Sequence, residues 1–321
     1  MTDPAFRHFT LRAIPRYTAR ATTDGTIMTY HLAIGDRTYS SWSLRGWLLF
    51  EKFGIPVRVE TGVLYTDNLY QMLARYAPAR QVPAVRLPDG EVIGETIAIA
   101  EALAERHPDA GLWPADPAAR AMARYMAAEM HAGFRDLRGD CPMNLAKSYR
   151  DSLPRAEVLK DVSRVEDIWA RARDRFGADG PWLFGSYTAA DAFYAPVATR
   201  IATYNLPTGP AAQAYVDAHL HDPALRRWRA MGWAEHLEQP SYRMPYAERR
   251  WPGPAPQSAA VAEGPSVNAA CPYSGKPVTD FLTLDGHVWG FCNAFCRDKT
   301  LADPEVWPKF TAMVTSHRQT A

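Results

Sequence analysis

Residues 40–45, Ser40-Ser41-Trp42-Ser43-Leu44-Arg45, put three hydroxyls and a guanidinium just ahead of an apolar run. Serines favour the N-cap of a helix, and Leu44, Trp47 and Leu48 then recur at helical spacing until Gly54 and Pro56 stop it. A helix start gathers free backbone N–H groups at the positive end of the helix dipole, so it stabilises an anion, and a thiolate is one. Hydroxyl donors at that place raise the ionised fraction of a thiol. A second set able to do chemistry is Cys271, Cys292 and Cys296, three of the four cysteines, the last two spaced Cys-x-x-x-Cys. Clustered thiolates are zinc ligands. Each set also has a plainer use: the serines can simply cap a helix, and the cysteines can be small buried hydrophobes.

The elements around these residues follow from periodicity. Thr29 to Ile34 alternates as a strand, with Tyr30, Leu32 and Ile34 on one side, and delivers the chain to the serine run. Val57 to Val63 reads as a second strand and Asn68 to Tyr76 as a short helix. Gln81 to Leu87 and Glu91 to Ile93 flank Pro88-Asp89-Gly90, which predicts a hairpin. Pro83 opens its first strand, at an edge or as a cis bond. Glu95-Thr96 then starts a helix with Ile97, Ala100, Leu103 and Ala104 on one face. This order predicts a small mixed sheet with helices on both faces.

From Asp116-Pro117 the character is helical: Ala118–Phe134, Arg155–Phe176, Ala189–Tyr204 and Ala211–His219. Thr188 and Asp191 have capping-box spacing and read as structural. Tyr125, Met126, Met130, His131, Phe134 and Arg138 make a stripe that serves either as core or as one wall of a pocket. Residues 240–270 carry a run of prolines and then small residues, and read as a linker, semi-rigid at first and then flexible. Beyond it, Phe281–Leu284 and His287–Phe291 flank an Asp-Gly turn and lead into the Cys-x-x-x-Cys helix.

Composition narrows the options. At 321 residues with 47% hydrophobic content, the chain is long enough for two or three cores. A net charge of +1 gives no support for nucleic acid or a membrane surface as partner. No apolar run approaches a membrane span. The cysteine pattern does not suggest a secreted disulfide framework, so a reducing cytoplasm is the expected compartment. Residues 1–27 contain arginines but no apolar signal core and read as a disordered extension ahead of Met28.

In order and spacing, residues 28 to about 235 resemble the cytosolic glutathione S-transferase family. The matching pieces are Ser40 to Arg45, Gln81-Val82-Pro83, Glu95-Thr96 and Gly185-x-x-Thr188-x-x-Asp191; the first is similar to the serine run of zeta-like bacterial members. The resemblance implies a thioredoxin-like domain over 28–108, an all-α domain over 116–239, and a homodimer. It implies glutathione as co-substrate, with its thiolate attacking a small electrophile in conjugation or glutathione-dependent isomerisation. Ser40, with Ser41 next, would donate to the sulfur, and Ser43 would cap. Val82 before Pro83 would pair with the cysteinyl part of glutathione, Arg80 and Gln81 would line its glycyl end, and Glu95-Thr96 would hold its γ-glutamyl group. A fold without catalysis, binding glutathione while the tail senses or carries metal, is the other reading.

The tail, residues 271–321, is similar to YHS or TRASH-type domains in its aromatic-Cys-x-x-x-Cys and Asp303-Pro304-Glu305. That resemblance implies a small α+β module with metal, zinc above all, on Cys271, Cys292 and Cys296. Ser274 stands where a further cysteine is common, which leaves the fourth position to His287 or water.

Overall fold

The computed structural model describes residues 29–177 and 180–320; the extension expected over 1–27 lies outside them. The chain begins with β1 (Tyr30–Ile34), α1 (Ser41–Glu51), β2 (Val57–Thr61), α2 (Asp67–Ala74), β3 (Ala84–Arg86), β4 (Val92–Ile93) and α3 (Thr96–Arg106). The sheet order is β2-β1-β3-β4, with β1 parallel to β2 and antiparallel to β3. Alternation along β1 sorts its neighbours. Leu32 and Ile34 join the core under α1 and α3, while Ala33 faces Leu69, Met72 and Leu73 of α2 on the other side. This is the small mixed sheet that the order of elements predicts, in the thioredoxin-like arrangement that the resemblance implies.

A helical region follows: α4 (Pro117–Ala132), α5 (Arg135–Asp140), α6 (Ala156–Phe176), α7 (Ala189–Tyr204), α8 (Pro210–His221) and α9 (Pro223–Ala234). Every residue of α7 is buried, and the helix packs against α1, α4 and α8. An element buried on every side is where a core centres. Its first turn is fixed by Asp191, whose carboxylate accepts from the Thr188 N–H at 2.8 Å and from the Tyr215 hydroxyl at 2.8 Å.

The stretch after α9, expected as a linker semi-rigid at first and then flexible, is bonded to the helical region along its first half. Ala247 accepts from Arg150 N–H at 2.8 Å, the Arg249 N–H donates to Ser148 O at 2.8 Å, and Trp251 lies under the Arg229 guanidinium at 4.5 Å. Past the short turn Pro240–Tyr242 the stretch forms no helix or strand of its own before Ala260, so its backbone polar groups bond the helical surface. The last part of the stretch is a strand, β5 (Ala260–Ala262), on the edge of a second, antiparallel sheet with β6 (Asp280–Leu284) and β7 (His287–Phe291). Then come α10 (Ala294–Ala302) and α11 (Pro308–Thr320).

The tail core is small: Leu282, Trp289, Phe291, Trp307 and Phe310 carry most of it. Each such burial is worth on the order of 2 kcal/mol, which leaves a piece of this size little margin. It gains by leaning on its neighbour. Ala230 of α9 belongs to the same core, and Arg226 grips Asp303 with two bonds of 2.8 Å. His236 Nε2 meets Asp298 at 3.0 Å. Among the described residues no helix is long and apolar enough to cross a membrane.

Candidate functional site

The serine run sits where β1 hands the chain to α1. Ser40, not Ser43, is the N-cap: its Oγ accepts from the Ser43 N–H at 3.3 Å. Its own proton goes to Ser43 Oγ at 2.7 Å, and Ser43 Oγ in turn accepts from the Gly35 N–H at 2.9 Å. The hydroxyls of Ser40 and Ser43 are therefore tied into the turn. Ser41 is arranged differently, because Arg200 Nη2 donates to its Oγ at 3.3 Å. An oxygen that accepts there keeps its own O–H free to donate.

Ser40, Ser41 and Trp42 form one side of a cleft of about 900 Å³ between the sheet and the helical region. Gln81, Val82 and Arg80 form another side, and His131, Arg138 and Arg200 a third. The Val82–Pro83 bond is cis, and α1 approaches this loop closely: a Cβ on Gly46 would lie 2.8 Å from the Pro83 ring. Glycine is thus required where the first helix meets the loop.

Electrostatics give this cleft its character. Trp42 is sandwiched between guanidinium groups, Arg45 at 4.4 Å and Arg138 at 4.9 Å from its ring centre. Arg45 is 1% exposed; its Nε donates to Phe193 O at 3.0 Å, while Nη1 and Nη2 have no partner. Burial, with Arg200 and Arg138 nearby, holds its pKa well below the ordinary value. Arg200 is drawn down to about 10 by burial and by the charge of Arg138. Arg138 donates to the carbonyls of His131 and Gly133, and Arg200 to those of Cys141 and Pro196. Among the described residues none of the three is paired with a carboxylate. Three cations met by neutral dipoles alone, and in Arg45 only at Nε, leave a positive field that an anion would relieve.

Glu95 caps α3 with a left-handed backbone, φ 58°, and its carboxylate reaches His131 Nε2 at 3.2 Å. Burial holds His131 below its usual pKa against the pull of Glu95. Thr96 is fully buried and its hydroxyl has no partner, so what this helix start offers outward is backbone rather than that hydroxyl. The stripe on α4 divides by face. Met126 and Met130 are core, Tyr125 is exposed, and His131 reaches the cleft with Arg138 of α5.

Arg200 and Tyr242 escaped the sequence reading. Arg200 had a legible signal, being the lone charge in the apolar stretch 192–204. Tyr242 had none, since it lies in a proline-rich segment whose path is set only by tertiary contacts.

The cysteines form a separate centre. The sulfurs of Cys271, Cys292 and Cys296 lie within 4.8 Å of one another, with Cys292 and Cys296 at 4.0 Å. Zinc–sulfur bonds of about 2.3 Å set neighbouring sulfurs roughly 3.8 Å apart in a tetrahedral site, so a small contraction suffices. Ser274 Oγ is 3.2 Å from Cys292 Sγ, beside the cluster. His287, expected as a possible ligand, is elsewhere: its ring meets that of His317 edge-on at 4.8 Å at the turn end of the hairpin. The strand β7 separates it from Cys292. Burial pushes the Cys271 thiol up, but the N–H groups of Tyr273, Cys292 and Ser274 and the Ser274 hydroxyl outweigh that and bring it to about 7. Cys296 is pushed up to about 12 by burial, with Lys299 opposing and the other sulfurs adding.

Residues 39–106 match the family model for the glutathione S-transferase N-terminal domain. Over 101 residues the chain is 35% identical to a probable maleylacetoacetate isomerase of Caenorhabditis elegans, covering 32% of this chain and 46% of that protein. The chain thus spans about half the length of the curated relative it matches. Among solved structures, glutathione transferase Omega 2S from Trametes versicolor superposes with a TM-score of 0.51 at 17% identity, over 67% of this chain and 99% of that one. A glutathione transferase homologue from Burkholderia with bound glutathione gives 0.48 at 22% identity, over 64% and 97%.

Proposed function

We propose that the chain is a glutathione transferase whose cleft takes the tripeptide with its sulfur at the start of α1. The observation that carries this reading is the set of three unpaired guanidiniums around a helix start that presents a free hydroxyl proton. The dipole, the cations and that proton all favour thiolate over thiol, so the reactive fraction rises at neutral pH. The hydroxyl geometry supports Ser41 as the donor to sulfur and Ser40 as the cap that holds the turn. Gln81 and Val82 would line the peptide part next to Pro83, and Glu95 with the backbone at Thr96 would receive the γ-glutamyl group.

The thiolate then forms a bond to an electrophilic carbon. Either a leaving group departs with its electron pair, which is conjugation, or the sulfur adds to a conjugated double bond and leaves again after rotation, which is isomerisation. The uncompensated charge of Arg138 and Arg200 supports an electrophile that carries a carboxylate, as does the isomerase named among the relatives. A homodimer in the cytoplasm is part of this reading.

In the tail, Cys271, Cys292 and Cys296 would hold a zinc ion, with the Ser274 hydroxyl or a water in the remaining position. Three thiolates fit zinc, and the ion would join β7 to α10 and supplement a thin core.

The deciding measurement compares Ser41→Ala with Ser40→Ala. Ser41→Ala lowers kcat for a generic electrophile about 100-fold and moves the acid limb of the pH–rate profile upward. Ser40→Ala loses about 1 kcal/mol of stability and less activity. Unchanged turnover in Ser41→Ala, or no retention of the wild type on immobilised glutathione, overturns the assignment.

A further inference from the structure

We infer that the segment after α9 supplies the electrophile-side wall of the cleft, and that Tyr242 on it is a specificity-determining residue that selects planar, conjugated electrophiles. This rests on the glutathione transferase reading. The short turn Pro240–Tyr242 brings the Tyr242 ring to 4.9 Å from the ring of Tyr39, the residue that precedes the serine run. Its hydroxyl meets that of Tyr65 at 2.9 Å, and both residues line the cleft. A ring held at its hydroxyl and along one side by another ring is a fixed flat surface. A planar π system stacks on such a surface, and a compact tetrahedral carbon gains little from it.

The wall is pinned rather than draped. Gln239 Nε2 donates to Asp36 Oδ2 at 2.7 Å and to Leu64 O at 3.3 Å, Asn144 Nδ2 reaches Tyr242 O at 3.4 Å, and the Tyr39 hydroxyl donates to Leu237 O at 3.3 Å. At its origin the segment is clamped to the tail, where His236 meets Asp298 at 3.0 Å. Burial, reinforced by Tyr65, raises the Tyr242 pKa above its ordinary value, so the wall carries no charge opposite the cleft arginines.

The test uses the full chain and anionic probes of different shape, planar 4-chloro-3,5-dinitrobenzoate and compact iodoacetate. Tyr242→Ala raises KM for the planar probe about 10-fold with kcat within about twofold, and leaves both constants for iodoacetate within about twofold. Tyr242→Phe keeps the planar KM within about twofold, because the ring face survives. Equal loss on both probes, or no loss on either, overturns the inference. Tryptophan fluorescence titration with the dinitrobenzoate–glutathione conjugate gives a readout that needs no turnover. Binding weakened about 10-fold in Tyr242→Ala supports the wall, and a change below about twofold overturns it, whatever becomes of the transferase reading. A wild type that turns over neither probe sinks that reading separately.

Discussion

Among the described residues no cysteine side chain lines the cleft, whereas the tail gathers three sulfurs within 4.8 Å. The two regions thus differ in what they already hold: the cleft has cations without a carboxylate partner, the tail has clustered thiols. Arg138 and Arg200 line the cleft with guanidiniums held by carbonyls, and Arg45, buried behind Trp42, keeps two unsatisfied nitrogens. A large core around α7 can tolerate that unfavourable burial. The tail has a thin core, and its Cys271 thiol is drawn down by close backbone N–H groups; bound metal would add stability that its packing lacks. On the proposed reading, one region would give up stability to be ready for a ligand, and the other would draw stability from one.

The sharpest way to break this contrast is Arg45→Met. It removes a buried, unpaired charge, so kcat/KM for a generic electrophile falls about 100-fold, or roughly 2.7 kcal/mol, while the melting temperature holds or rises. A variant that melts earlier and keeps its turnover would show that Arg45 serves the fold instead. Chelation tests the other half. Stripping metal from the full chain lowers the unfolding temperature of the tail by about 5–10 °C, with turnover in the cleft changed by less than twofold. A chelator without effect on the tail transition removes the proposed stabilisation.

The smallest effect separates the scaffold from both regions. His219 is 1% exposed between Trp182 and Tyr215, and burial draws its pKa down to about 3. The unfolded chain titrates near 6.5, so between these values it binds a proton that the folded state refuses. Stability is therefore lost as pH falls below about 6.5, by up to about 1.4 kcal/mol per unit. Denaturant melts of His219→Gln from pH 7 to 5 should show that slope reduced. An unchanged slope would mean that the acid response originates elsewhere.

Much of the sheet domain was legible because short-range rules govern it. Alternation marked β1, Asp89-Gly90 marked the hairpin, and serine and proline signals bounded α1. The α4 stripe was ambiguous because Met126 and His131 share one helix, and only packing against the sheet says which faces core and which faces the cleft. The contacts of the stretch 240–270 were illegible for the same reason: its composition fits a linker, and its hydrogen bonds go to Arg150, Ser148 and β6, which are distant in sequence.

The sequence by itself determined that a strand delivers hydroxyls to a helix start, that Pro83 opens the facing strand, and that three cysteines gather in the tail. Those are matters of spacing and local backbone preference. Only the tertiary structure decided which serine keeps a proton to give, since that depends on Arg200 arriving from α7, 159 residues away. It also decided that Arg45 is left with two unsatisfied nitrogens and that Tyr242 lines the cleft. Charge and shape at a site are sums over neighbours, and the neighbours are chosen by the fold.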